Sequence, residues 1–202
     1  MELSRRDLTL SIGAIWAAVA VPGEVLAQGL NWTPTALSAG QARTLDVAAE
    51  LIMPATDTPG ARECGVPAFV DRAVAIYCSP AEAQSLKAGL DRMDADARIE
   101  FSAGFTAITP AQQTSLLTRY EAEGRARRAA PAPVGRGDTE TGLTNAAPPP
   151  PAPAFFPLLR ELVTVGYFTS KIGATQAVKY DPFPGAYHGC VPLSEIGRAW
   201  AT

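Results

Sequence analysis

The chain has 202 residues, with 17 basic against 20 acidic side chains and a net charge of −3. That length supports one hydrophobic core and reads as one domain. The near-neutral balance gives no electrostatic reason to expect nucleic acid or anionic lipid as a partner.

Two adjacent arginines, Arg5 and Arg6, stand just before an uncharged apolar run from Leu8 to Val21. Its 14 residues are too few to cross a bilayer core, which needs ~20. Pro22-Gly23 ends the run, and Val25-Leu26-Ala27 offers small residues for cleavage after Ala27. The layout is that of a signal peptide over residues 1–27, and the paired arginines point to the twin-arginine translocase and the periplasm. Glu2 and Asp7 offset Arg5 and Arg6, which disfavours an ordinary secretory signal. That signal, or an uncleaved apolar helix, is the alternative. Removal of Arg5 and Arg6 with Glu2, Asp7 and Glu24 moves the net charge from −3 to −2.

The remaining 28–202 reads as a single, mainly α domain with long ordered loops. Ser38-Ala39-Gly40-Gln41 is a capping box, in which serine and glutamine satisfy each other's backbone donors. Leu45, Ala49 and Ile52 follow on one face, and Pro54 stops the helix. Pro67 predicts a second helix carrying Phe69, Val70, Ala73, Val74 and Tyr77. Ser79-Pro80-Ala81-Glu82 combines an N-cap serine, proline at the first helical position and glutamate at the third. Leu86, Leu90 and Met93 continue it at helical spacing. Thr109-Pro110-Ala111-Gln112 repeats the device ahead of Leu116, Leu117 and Tyr120.

Residues 129–154 hold seven prolines, four of them consecutive at 148–151. Such a segment buries too little apolar surface to offset its ordering entropy, so it reads as a flexible linker inside the domain. A hydrophobic helix is predicted over Phe155–Lys171, with Phe156, Leu159, Leu162, Val163 and Tyr167 inward. From Tyr180 to Cys190 prolines and glycines forbid regular structure. Alternating strand patterns with hairpin turns are absent.

No catalytic constellation is visible. His188 is the only histidine, and the three cysteines are scattered, so neither a tetrahedral zinc site nor an iron–sulfur cluster has its ligands. There is no Cys-x-x-Cys, no glycine-rich dinucleotide or phosphate loop and no Gly-x-Ser-x-Gly elbow. Asp57-Thr58-Pro59-Gly60 is similar to an aspartic-protease triplet, but Pro59 interrupts it and no second copy exists. Asp57 reads as a turn residue. Catalytic, cofactor-binding and metal-binding residues are therefore all expected to be none. Cys64 and Cys78 flank the second helix and would lie about 18 Å apart, beyond the ~7 Å that a disulfide spans. A disulfide, if formed, joins Cys190 to Cys64 or to Cys78, and three reduced thiols are the alternative.

Two blocks carry a resemblance. Leu51 to Ala61 (LIMPATDTPGA) with Gly65 to Asp71 (GVPAFVD), and Gly166 to Ala177 (GYFTSKIGATQA) with Tyr180 to Gly185 (YDPFPG) and Gly189-Cys190, resemble the N- and C-terminal blocks of the gluconate 2-dehydrogenase subunit 3 family. Lys171 departs from the pattern, standing where glutamate is expected. The resemblance implies a small subunit that carries no catalytic residues. It implies a large FAD subunit of the glucose–methanol–choline type as partner, a multihaem cytochrome c subunit as a further one, and association with the membrane through them. The implied role is in folding, stability and export of the large subunit. Tyr167, Phe168, Tyr180, Phe183 and Tyr187 are the candidate interface, with Phe183 between two prolines foremost; Tyr167, Phe168, Tyr180 and Tyr187 read equally well as core. A stand-alone periplasmic binding protein or enzyme with an unrecognised site is the alternative.

Overall fold

The computed structural model describes residues 30–129 and 154–180, together with residues 185, 186, 190, 192, 194, 197, 199 and 200. The signal residues Arg5, Arg6 and Ala27, the proline-rich segment 130–153, and Phe183, Tyr187 and His188 lie outside them.

Among the described residues five α-helices follow in order: α1 (Ala39–Ile52), α2 (Val66–Ile76), α3 (Pro80–Phe101), α4 (Pro110–Ala129) and α5 (Phe155–Thr169). A five-residue π-helical turn, Gly173–Ala177, closes the series. The described residues form no strand, only an isolated bridge between Lys179 and Trp200.

The starts of three helices follow from local chemistry. Ser38 accepts from the Gln41 amide while Gln41 accepts from the Ser38 amide. Ser79 and Glu82 repeat the exchange, with Pro80 at the first helical position. Thr109 and Gln112 do so ahead of α4. Each device satisfies two backbone donors that a helix start otherwise leaves open.

The core belongs to α5. It packs against each of the other four helices and against the π-helical turn. Its Phe156, Leu158, Leu159, Val163, Gly166 and Tyr167 are buried. Leu45 of α1, Val70 of α2, Leu86, Leu90 and Met93 of α3, and Leu116 and Tyr120 of α4 complete the interior. Where α3 crosses α5, a Cβ on Gly89 would sit 2.1 Å from Cγ of Phe155. Only glycine lets that aromatic ring lie directly on the α3 backbone.

Polar side chains fix the helix pairs. Tyr120 donates to Asp96 at 2.7 Å, and Arg119 reaches both Asp96 and Glu100. Arg92 makes a bidentate pair with Glu123 at 2.8 and 3.0 Å. The Arg92 and Arg119 guanidinium groups lie 5.1 and 5.4 Å from the Tyr120 ring centroid, a cation–π arrangement in which Arg92 ties α3 to α4. Burial, then the bond to Asp96, raises the Tyr120 phenol above its ordinary value.

Asp71 does the same for the entry strap. This carboxylate on α2 is 1% exposed. It accepts from the Thr35 amide and hydroxyl, both at 2.7 Å, and from the Ala36 and Leu37 amides at 3.0 and 2.9 Å. Four donors satisfy a carboxylate that would otherwise be costly to bury.

Candidate docking site

Of the two sequence blocks that carry the family resemblance, the Met53–Ala61 loop and the Gly166–Ala177 stretch meet in space. From Met53 to Ala61 the chain makes a compact loop. Glu50 on α1 clamps it, one oxygen accepting from the Ala55 amide at 3.2 Å and the other from the Arg62 amide at 3.0 Å. The Ala61 amide donates back to the Met53 carbonyl at 2.9 Å. Asp57 is exposed and accepts from the Thr56 hydroxyl at 3.0 Å, a turn contact as its sequence context predicts.

The second block lies directly against this loop. Tyr167 donates to the Pro59 carbonyl at 2.8 Å. A Cβ on Gly166 would sit 2.6 Å from Cδ1 of Phe69, so the bare α5 backbone seats a ring from α2. Past the end of α5, the Ser170 hydroxyl donates to the Tyr167 carbonyl at 2.8 Å and accepts from the Gly173 amide at 2.9 Å. That exchange ends α5 at Thr169, two residues short of the predicted Lys171, and turns the chain into the π-helical segment.

Tyr167 is not a surface residue. It is 2% exposed, enclosed between the loop and α5, and therefore supports the site from within rather than touching a partner. Phe168 and Tyr180 are exposed at 43% and 59%. The Phe168 ring meets Tyr167 edge-on at 5.1 Å. Lys179 beside Tyr180 stacks on Trp200 at 4.3 Å, anchoring the last described residues.

No disulfide forms in this structure: Cys64, Cys78 and Cys190 are all free. Cys64 is sealed in the core at the entrance to α2, beside Ser170 and Gly173, whereas Cys190 is exposed. Burial pushes the Cys64 thiol above its ordinary value. Burial, then the neighbouring Glu82, does the same to Cys78. Thiols held protonated are poor nucleophiles.

Sequence reasoning missed the outer face of α2. Ile76 and Tyr77, 66% and 80% exposed, border a surface groove of about 360 Å³. Helical period alone turns Tyr77 inward with Val70 and Ala73. The helix stops at Ile76, however, and Tyr77 caps it pointing away.

Among the described residues no group of three or more His, Cys, Asp or Glu is placed to hold a metal ion. No helix there is long and apolar enough to cross a membrane.

No curated protein and no solved structure matches this chain. The family model described as gluconate 2-dehydrogenase subunit 3 matches residues 39–185, which takes in the loop, α2, α5 and the π-helical turn. The chain belongs to the gluconate 2-dehydrogenase subunit 3 family, whose name makes it one chain of a multi-subunit dehydrogenase.

Proposed function

We propose that this chain is a non-catalytic small subunit, which stabilises the large subunit of an FAD-dependent dehydrogenase of the glucose–methanol–choline type and helps export it. The substrate of the complex is gluconate or a related sugar. Export runs through the twin-arginine signal of residues 1–27, and a cytochrome c subunit takes the electrons onward at the membrane. The flavin belongs to the large subunit.

The observation that carries this reading is the family match over residues 39–185. The way the matching blocks are used supports it. Tyr167, Pro59, Gly166 and Phe69 lock a loop and two helices together. They brace a surface rather than arrange a nucleophile, a base and an oxyanion donor around a reacting atom.

The test is to express the full chain with the tagged large subunit and fractionate the cells. With the native chain, the large subunit should reach the periplasm with flavin absorbance. With Arg5→Lys plus Arg6→Lys it should stay in the cytoplasm. Correct placement of the large subunit in the absence of this chain would overturn the escort role.

A further inference from the structure

We infer that the outer face of α2, centred on Arg72, Ile76 and Tyr77, is the seat of the large dehydrogenase subunit; the inference rests on the partnership proposed above. The occupant is a segment bearing a large apolar side chain with a carboxylate close by.

The two sides of α2 differ in kind. Val66, Val70, Ala73 and Val74 are buried against the core. Gly65, Ala68, Phe69, Ile76 and Tyr77, with the edge of Ala73, line the outward groove, and Arg72 supplies its one charge. Ile76 and Tyr77 put two large apolar side chains in water next to each other, at the border of a groove of about 360 Å³. Exposed apolar residues scattered singly are ordinary, but a grouped set beside a concavity marks an interaction site. Tyrosine and arginine are also the residue types that anchor interfaces.

Charge selects the occupant. Arg72 has no carboxylate partner among the described residues, although eight ion pairs join other arginines there to acids. No acidic side chain lines the groove. An apolar pocket with an unanswered guanidinium is complementary to an apolar segment carrying a carboxylate.

The face is also held rigid from behind. Asp71, next to Arg72, is fixed by four hydrogen bonds to the entry strap. Phe69 is seated on Gly166. Docking on a preorganised helix loses little conformational entropy.

Ile99 provides the contrast. It is 80% exposed on α3 but stands between the charged Arg98 and Glu100, with no second large exposed apolar side chain next to it in sequence.

The test uses the full chain co-expressed with the large subunit, captured through a tag on this chain. The Ile76→Ser/Tyr77→Ala double variant, and separately Arg72→Glu, should each recover about tenfold less large subunit. Ile99→Ser should recover as much as the native chain, and every variant should melt with the native chain. Hydroxyl-radical footprinting of the unaltered protein gives an independent reading. Tyr77 should be modified in the isolated chain and protected in the complex. If the native chain captures no large subunit, the partnership itself fails and this assignment with it. If the groove variants capture as well as the native chain, or Tyr77 stays reactive in the complex, the assignment is overturned while the partnership stands. Protection of Tyr77 in the isolated monomer would overturn it in favour of a segment of this chain. A native dimer dispersed by Ile76→Ser/Tyr77→Ala would overturn it in favour of a second copy.

Discussion

The Tyr167 hydroxyl and the Pro59 carbonyl, 108 residues apart in sequence, share a 2.8 Å hydrogen bond. With a longer contact from the same hydroxyl to Thr58 Oγ1 at 3.5 Å, it links α5 directly to the Met53–Ala61 loop. Tyr167→Phe keeps the ring and removes the donor, leaving a carbonyl without its partner. The variant should lose about 1–2 kcal/mol, read as a lower urea midpoint at unchanged slope. Tyr167→Ala also vacates core volume and should lose about 3–5 kcal/mol.

Replacement of Asp71 should release the entry strap. In Asp71→Asn an NH₂ group takes the place of one oxygen and faces amide donors it cannot accept from. The expected cost is about 2–3 kcal/mol. Hydrogen exchange localises the effect: the Ala36 and Leu37 amides, protected in the native chain, should exchange early while the interior of α3 keeps its protection.

Two glycine-to-alanine changes should have opposite signs. At Gly40, in the first turn of α1, the nearest atom to an added Cβ is 3.9 Å away. Alanine there should gain roughly 0.5–1 kcal/mol from helix propensity. At Gly89 the same methyl meets the Phe155 ring at 2.1 Å. Overpacking should outweigh propensity and leave a net loss of roughly 1–2 kcal/mol. Thermal melts of the two single variants decide the point.

The thiols should report both burial and pH. Native-state alkylation should modify Cys190 first and Cys64 only on unfolding. The folded chain holds the Cys64 proton more tightly than the unfolded chain, whose value is near 9.0. Its contribution to stability is therefore intact below pH 9.0 and is lost as pH rises through the folded value. Urea midpoints from about pH 8 to about pH 10 should fall, and Cys64→Ala should flatten that fall.

Local signals were readable in the sequence and long-range ones were not. Ser38 with Gln41, Ser79 with Glu82 and Thr109 with Gln112 announce helix starts because each device lies within four residues. The all-helical class followed from them. The partner of Asp71 lies 34 to 36 residues upstream, and nothing in the spacing selects Thr35 to Leu37 for it. Glycine-rich aromatic sequence suits docking and packing alike, so the residues around Tyr167 leave it open to either role. Only the position of Pro59 decides between them. Ile76 and Tyr77 were hidden by an early helix end, which period-based reading does not register.

Chain order gives the central position of α5 a temporal meaning. Of the five described α-helices, the one that packs against each of the others is synthesised last, after the proline-rich segment. Until residue 169 has emerged from the ribosome, the four earlier helices share an open apolar seam that none of them can close. The domain therefore cannot complete its described core before α5 is made. Its nascent form needs shielding from other chains for as long as that seam stays open.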